Sequence, residues 1–237
     1  MLHLLIELGM RILSRRMIRF IISAKNLCSS RLVPVPLTYN YEGLATRVNC
    51  DFMKDKKFMD SYNLGKATGS WESYNLYWRL YVVCWAAKKG KDTPGDFVEC
   101  GVYKGGFARA VINYTDFQNL PKKYYLLDTF EGLCDEHISA EERIIGIDRY
   151  SYRYEKCYDV VKDTSKQFSN VEIIKRLVPD TLPSVKTDKV SFLSIDMNCA
   201  FPEIAAIEFF WDKLVSGAIV VLDDYGFPNH IVQKKRV

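Results

Sequence analysis

The sequence predicts an α/β fold with a doubly wound, mostly parallel sheet. Short, nearly continuous apolar segments alternate with amphipathic segments along most of the chain, which is typical of parallel sheets covered by helices on both faces. The first of these apolar segments runs into a glycine-rich turn and then a helical pattern, within DFVECGVYKGGFARAV at 96–111. Acidic residues end several of the apolar segments, at the edge where such sheets bind ligands.

The N-terminal segment LHLLIELGMRILSRRMIRFIISAKNL, at 2–27, predicts a basic amphipathic helix. Charged residues interrupt it, so no apolar run reaches the ~18 residues of a membrane-spanning helix. Such a helix suits contact with a membrane surface, a poor signal sequence, or packing on its own domain or a partner subunit, and we favour packing. We expect residues 1–70 to form a helical or irregular extension, and residues 71–237 to form the sheet domain.

The next element is a helix at 71–89, whose wide apolar face places Trp78 and Trp85 in the predicted core. Beyond it, apolar runs of strand length alternate with helical patterns. The predicted strands are 95–101, 123–130, 171–177, 189–196 and 217–226. The predicted helices between them are 105–117, 153–168 and 201–215.

Charge and cysteine usage exclude several classes of protein. The 237 residues include 33 basic and 29 acidic ones, a net charge of +4, so no nucleic-acid partner is expected. The seven cysteines are widely spaced and contain no CxxC, which predicts neither a disulfide framework nor a thiolate zinc site. A reducing cytoplasm fits this usage best.

The glycine turn after the first strand of this series indicates the ligand. It has the form GxxxGG, with neither the GxGxxG of a nicotinamide dehydrogenase nor the Gly-Lys-Ser/Thr of a Walker loop. Glu99 precedes the turn and would repel phosphate, but it suits an ammonium or sulfonium group. S-adenosylmethionine carries both groups and no phosphate. Asp128 ends the next strand, where a carboxylate can bind ribose hydroxyls. We therefore predict an S-adenosylmethionine site.

Three carboxylates end the last two strands: Asp196 in FLSID, and Asp223 and Asp224 in VVLDD. Neighbouring parallel strands would bring them to one edge, where mutual repulsion favours a bound cation. Ligands that are all oxygen, with Asn198 as an additional donor, favour magnesium, manganese or calcium over zinc. By spacing alone, an equal alternative is that Asp223 or Asp224 caps the next helix or ties down the turn.

The segments GDFVECGVYKGG, YYLLDTFEGL, VPDTLP, FLSID and IVVLDDYG together resemble the macrocin O-methyltransferase family, from about residue 41 to the end of the chain. The resemblance implies a class I, Rossmann-like methyltransferase fold, often oligomeric, that methylates sugar hydroxyls with S-adenosylmethionine and magnesium or manganese. It implies that Glu99, Gly101 and Gly105 line the methionine part, and that Asp128 binds the ribose. Asp180 of VPDTLP would lie near the adenine.

The resemblance also matches Asp196, Asp223 and Asp224 to metal-binding positions. A bound metal lowers the pKa of a sugar hydroxyl and orients it, and Asp196 could accept its proton. His137 is a less favoured base. It lies in residues 131–149, which we term the covering segment because we expect it to cover the acceptor.

The implied fold continues beyond the DDYG strand with a helix and two more strands, whereas this sequence stops at Val237. We therefore expect the C-terminal strands to be missing. Two functions stay open: an active O-methyltransferase acting on a sugar or glycosylated small molecule, and a truncated or degenerate domain that binds cofactor or a partner without turnover.

Overall fold

The structure, a computed structural model, describes residues 37–71, 74–149 and 154–236. The chain divides into two compact units, Met1–Asn49 and Cys50–Val237. In the first unit, strands β1 (Tyr39–Tyr41) and β2 (Leu44–Thr46) pair in an antiparallel hairpin. The basic segment at 2–27, with its predicted helix, lies outside the described residues.

The second unit contains a five-stranded sheet in the order β5-β4-β3-β6-β7. Its strands are β3 (Asp96–Cys100), β4 (Tyr124–Asp128), β5 (Val171–Lys175), β6 (Val190–Ile195) and β7 (Leu214–Leu222). Every pairing is parallel, so the predicted doubly wound sheet is confirmed. The chain moves outward from β3 to β5 and then returns to β6 on the other side of β3. The strand order therefore reverses between β3 and β6, and their carboxyl ends form a ligand-binding crevice.

The described helices are α1 (Lys56–Lys66), α2 (Tyr77–Lys91), α3 (Gly106–Thr115), α4 (Ala140–Ile145), α5 (Tyr158–Ser165), α6 (Ala200–Trp211) and α7 (Ile231–Arg236). None of the helices in the described ranges is both long and apolar enough to span a bilayer. The α-helices between strands are close to those predicted, but three boundaries differ.

The helix predicted from residue 71 begins at Tyr77, because Trp71 is buried against Gly65 and Gly106 and does not continue a helix. The helix predicted over 153–168 is confined to Tyr158–Ser165. The helix predicted over 201–215 ends at Trp211, and β7 begins at Leu214 because Leu214 pairs with Val190 of β6.

Alternate residues of each strand pack on opposite faces of the sheet. On one face, Phe97, Tyr124 and Phe192 join Phe117 in an aromatic cluster beneath α2, α3 and α5. The other face buries Val98 and its neighbours against α6.

The prediction that Trp78 and Trp85 are core residues is wrong. Their exposed fractions are 39% and 45%, and α2 instead buries Leu80, Val83 and Ala87. These smaller side chains let α2 approach the sheet closely.

Candidate functional site

The glycine turn after β3 lies at the point where the strand order reverses. Gly101 has φ +89°, and a Cβ there would overlap the carbonyl oxygen of Asp196 at the end of β6. The amide of Asp196 donates to the carbonyl of Cys100 at 2.8 Å, and the amide of Gly101 donates to the carbonyl of Leu127 at 2.9 Å. Only glycine fits this position, because both the backbone conformation and the space require it.

The Asp128 carboxylate holds the glycine turn from the neighbouring strand. The amides of Val102 and Tyr103 donate to its Oδ2 at 2.6 and 2.7 Å, and the amide of Phe130 donates to its Oδ1 at 2.7 Å. Thr129 Oγ1 lies 3.3 Å from Oδ1. Asp128, the residue predicted to bind the ribose, therefore also fixes the backbone of the turn, including Tyr103, which has φ +49°.

Glu99 lies beneath this turn and is 2% exposed. The hydroxyl of Tyr124 donates a short hydrogen bond to its Oε2. Burial raises the pKa of Glu99 to about 8, and the charges of Asp196 and Asp128 add to the effect, while the Tyr124 hydrogen bond opposes it. A bound cation would relieve this cost of burying a charge.

The start of α3 is held by residues that the sequence analysis did not identify. Ser70 Oγ accepts a hydrogen bond from the amide of Gly106 at 2.8 Å, and a Cβ on Gly106 would lie 2.5 Å from the Trp71 ring. Gly105 has φ +80° and precedes α3 as its N-cap. The sequence gives no signal for this contact, because Ser70 and Gly106 are 36 positions apart.

Asp196, Asp223 and Asp224 meet at the ends of β6 and β7. Each offers a carboxylate oxygen, and the three oxygens lie within 4.8 Å of one another. Burial and the charge of Asp224 raise the pKa of Asp196 to about 7. Burial likewise raises the pKa of Asp224 to about 6, and the charge of Arg79 partly offsets this. For Asp223 the capping alternative lacks a contact, because its side chain makes no hydrogen bond to the turn that follows it. Asp224 is closer to that alternative, because His230, just before α7, lies 3.5 Å from its Oδ2.

Arg79 of α2 supplies a positive charge to this acid cluster. Its Nε donates to Asp223 Oδ1 at 3.0 Å, and a second nitrogen contacts Oδ2. The ring of Phe227 lies 5.4 Å from the guanidinium. The sequence analysis missed Arg79 because the pair spans 144 positions and the residue lies within an ordinary helical pattern.

Two further polar residues adjoin the acid cluster. His230 Nδ1 lies 3.5 Å from Asp224 Oδ2, and burial lowers the pKa of this imidazole. Asn198, which the sequence suggested as an additional oxygen donor, directs its amide nitrogen to Asp196 Oδ1 at 3.2 Å. Asn198 has φ +55°, a backbone conformation that asparagine tolerates better than most residues.

One cavity of about 680 Å³ joins the glycine turn and the acid cluster. Its volume is in the range of small-molecule sites. Of the residues predicted from the sequence, its lining includes Glu99, Gly101, Asp128, His137, Asp196, Asn198 and Asp224. Gly105, Asp180 and Asp223 are not in the lining, and Asp180 is exposed beyond β5. Asp223 instead lies beside the cavity, with a carboxylate oxygen within 4.8 Å of one from each of Asp196 and Asp224.

The described residues fit both the predicted S-adenosylmethionine and the predicted divalent cation. At the glycine end, a backbone without Cβ at Gly101 allows close approach, and the buried Glu99 suits a cationic ligand. At the acid end, three carboxylate oxygens lie within 4.8 Å of one another, and Arg79 forms its ion pair with Asp223. Such a set of oxygen ligands is the chemistry that Mg²⁺ or Mn²⁺ prefers. Asp196, Asp223 and Asp224 would hold that cation.

Comparisons with known proteins identify relatives of this chain. A curated relative from Streptomyces olivaceus, 8-demethyl-8-(2,3-dimethoxy-alpha-L-rhamnosyl)-tetracenomycin-C 4'-O-methyltransferase, is 27% identical over 143 residues, or 56% of this chain and 53% of the relative. Demethyldecarbamoylnovobiocin O-methyltransferase of Streptomyces niveus is 25% identical over 145 residues, or 57% of this chain and 55% of the relative. The chain thus spans about half the length of the curated relatives it matches.

The solved structure of the O-methyltransferase NovP matches with a TM-score of 0.57 and 22% identity, over 66% of this chain and 69% of that chain. At this identity the similarity concerns the fold, which is that of the class I methyltransferases. The profile described as macrocin-O-methyltransferase (TylF) matches residues 81–235, which include the glycine turn and the acid cluster. Because this match covers more than half of the sequence, the chain belongs to the macrocin O-methyltransferase family.

Proposed function

We propose that this protein is an S-adenosylmethionine-dependent, divalent-metal-assisted O-methyltransferase that acts on a hydroxyl of a sugar or glycosylated small molecule. The observation that carries the proposal is the cluster of three carboxylates beside the glycine turn, at one end of a shared cavity. The name of the Streptomyces olivaceus relative, a 4'-O-methyltransferase of a rhamnosyl compound, supports a sugar acceptor. We also propose a cytoplasmic location and a homo-oligomer, on the cysteine usage and the family resemblance alone.

The glycine end is assigned to the methyl donor. S-adenosylmethionine supplies a methyl group on a sulfonium centre, which makes that carbon electrophilic. We assign its methionine part to Glu99, Gly101 and Gly105, and its adenine to the cavity wall after β5, where Arg176 and Val178 line the cavity and Asp180 follows outside it. Asp128 Oδ1 accepts from the Phe130 amide, and the Thr129 hydroxyl makes its shorter hydrogen bond, 2.8 Å, to the carbonyl of Gly132, so Oδ1 keeps one acceptor position. We assign that position to a ribose hydroxyl.

The acid end is assigned to the acceptor. Asp196, Asp223 and Asp224 would hold a divalent cation, which would lower the pKa of a sugar hydroxyl and orient it. The cation would also lower the raised pKa of Asp196, leaving an ionised carboxylate that can accept a proton. As the acceptor oxygen forms its bond to the methyl carbon, the carbon–sulfur bond breaks and the hydroxyl proton passes to Asp196. The products are a methyl ether and S-adenosylhomocysteine.

The Arg79–Asp223 ion pair favours a second candidate, a domain that binds cofactor or a partner without turnover. The guanidinium already contacts both oxygens of Asp223 and neutralises one of the three carboxylates. In this candidate the arginine replaces a metal, and the site lacks an activating cation.

Methyl transfer from radiolabelled S-adenosylmethionine to p-nitrophenyl α-L-rhamnoside separates the two candidates. The proposed enzyme should lose transfer in EDTA, regain it with Mg²⁺, and lose it in Asp223→Asn, whereas the exposed Asp212→Asn control should stay active. Binding of S-adenosylhomocysteine without transfer to this or related glycosides would favour the second candidate. Transfer that EDTA leaves unchanged would rule out the metal-assisted mechanism.

A further inference from the structure

Glu142 is a buried carboxylate that the proposed chemistry does not use. It lies in α4, within the covering segment, and is 2% exposed. The preceding residue, Glu141, is exposed and forms an ion pair with Lys235 at 2.8 Å. Two adjacent glutamates therefore differ completely in environment. A buried carboxylate needs compensating hydrogen bonds, so the partners of Glu142 indicate its role.

One oxygen of Glu142 completes a local cap. The amide and hydroxyl of Ser139 donate to Oε2 at 2.8 and 2.6 Å, and Ser139 Oγ accepts from the amide of Glu142 at 3.3 Å. This is the reciprocal capping box found at the start of many helices. A capping box alone is usually exposed and does not require burial of the glutamate.

The other oxygen makes a contact of a different kind. The amide of Ala200, the first residue of α6, donates to Oε1 at 2.7 Å across 58 positions of sequence. The first amides of a helix have no partner within it, so Ala200 needs an external acceptor. One carboxylate therefore caps two helices, α4 in the covering segment and α6 behind the acid cluster.

The loop that leads into Ala200 carries part of the candidate site. Residues 196–199 lead from the end of β6 into α6, and Asp196 and Asn198 line the cavity. The buried Glu203 accepts from the amide of Met197 at 2.9 Å. This loop is thus held by one buried glutamate from its own helix and by a second from the covering segment.

Neighbouring contacts strengthen the same connection. The thiol of Cys199 donates to the carbonyl of His137 at 3.2 Å, and the His137 ring lies 4.7 Å from the ring of Phe201. Ile138 and Ile147 pack with Cys199 in a small apolar cluster. On the cavity side of this junction, Leu133 and His137 form part of the wall.

We infer that Glu142 is a positioning residue that fixes the acceptor wall of the cavity by tying the covering segment to the loop after β6. The inference rests on the proposed function in assigning that wall to the acceptor. The hydrogen bonds of Glu142 described above reach neither the glycine turn nor Asp128, and Asp196, which lies against Gly101, is held by its own hydrogen bond to Cys100. Loss of the tie should therefore affect the acceptor wall more than the donor end. The specific expectation is a selective loss of acceptor binding.

Glu142→Gln tests the tie with little change in size. A glutamine has one acceptor oxygen, so its NH₂ group must face either the Ser139 amide or the Ala200 amide, each of which is a donor. Glu141→Gln is the matched control, since it loses only a surface ion pair. Ala200→Pro removes the amide that donates to Glu142 Oε1, at the first position of α6, where proline is tolerated, and it decides the matter if Glu142→Gln does not fold.

Hydrogen exchange and steady-state kinetics provide the readouts on the full chain. In Glu142→Gln, amides of residues 133–149 should exchange about tenfold faster, and the KM for p-nitrophenyl α-L-rhamnoside should rise about tenfold. The Kd for S-adenosylhomocysteine should stay within about twofold of the wild type. Ala200→Pro should shift exchange and KM in the same direction, and Glu141→Gln should match the wild type.

Equal exchange of residues 133–149 in Glu142→Gln and Glu141→Gln would overturn the inference, as would a loss of S-adenosylhomocysteine affinity as large as the rise in KM. If the wild type transfers no methyl group to the rhamnoside, the proposed sugar acceptor fails. The exchange data then decide on the tie by themselves, because they need no acceptor.

Discussion

The two ends of the cavity are built by different means. At the glycine end, the polar groups satisfy one another, since three backbone amides donate to Asp128 and the Tyr124 hydroxyl donates to Glu99. At the acid end, three carboxylates crowd together, and a single guanidinium pairs with one of them. The glycine end therefore needs no further group to hold its backbone, whereas the acid end has an excess of negative charge.

This difference indicates which end requires a further group for stability. A carboxylate that accepts several amide hydrogen bonds is stable when ionised, so Asp128 needs no cation. Asp196 and Asp224 are buried near each other, and their raised pKa values reflect the cost of ionising both. The glycine end should therefore respond to changes of shape, and the acid end to changes of charge.

The largest effect is expected for Gly101→Ala, which tests the shape of the glycine end. A Cβ would overlap the Asp196 carbonyl, and φ +89° strains any side chain. We expect a loss of more than about 3 kcal/mol in the free energy of unfolding, measured in urea. Gly226→Ala is the control, because no atom lies within 4 Å of its added Cβ. Equal stability of the two variants would contradict the close approach of β3 and β6.

Asp128→Asn should have the next largest effect. An amide nitrogen would face backbone donors at one of the two oxygen positions, and the charge that strengthens these hydrogen bonds would be lost. We expect a loss of about 2–3 kcal/mol by urea unfolding, together with weaker binding of S-adenosylhomocysteine in calorimetry. The control is Asp116→Asn, which breaks an exposed pair with Lys57 and should change stability by less than about 1 kcal/mol. If both variants match the wild type, Asp128 does not hold the turn.

Magnesium should stabilise the protein by an intermediate amount through the acid end. At a concentration about 100-fold above its Kd, binding to the folded state alone adds about 2.7 kcal/mol. The rise in melting temperature with Mg²⁺ should vanish in Asp224→Asn and persist in Gly226→Ala. A rise of the same size in Asp224→Asn would show that the cation binds elsewhere.

The smallest effect is a pH dependence at Glu99. Its pKa is raised in the folded protein, so the folded state binds the proton more tightly than the unfolded state. Stability from this group is complete below its unfolded value, near 4.5, and is lost as pH rises towards about 8. Between pH 5 and pH 7, the wild type should lose about 2 kcal/mol relative to Glu99→Gln, which keeps an acceptor for Tyr124.

The same group should link donor binding to a proton. A sulfonium or ammonium near Glu99 would lower its pKa, so S-adenosylmethionine should release protons at pH 7 in the wild type and fewer in Glu99→Gln. Calorimetry in buffers of different ionisation enthalpy measures this release. Identical release in both proteins would place the cationic group of the ligand away from Glu99.

Sequence reasoning recovered the features that a short segment encodes by itself. The five strands, the glycine turn and the two acidic strand ends each lie within a few consecutive residues, and parallel strands bring their carboxyl ends to one edge. The remaining features depend on contacts between residues that are far apart in the sequence. Arg79 contacts Asp223 from a helix, and nothing in YWRLY distinguishes that arginine from a solvated one. The early start of β7 depends on a bulge at Gly217, where φ is +85°.

The most direct test of a shared cavity uses Mn²⁺ as a paramagnetic probe and S-adenosylmethionine labelled with ¹³C in its methyl group. If donor and cation bind at the two ends of this cavity, the bound methyl signal should broaden strongly when Mn²⁺ is added to the wild type. It should stay sharp when Mn²⁺ is added to Asp224→Asn. A sharp methyl signal in wild-type protein saturated with both ligands would contradict a common site for donor and cation.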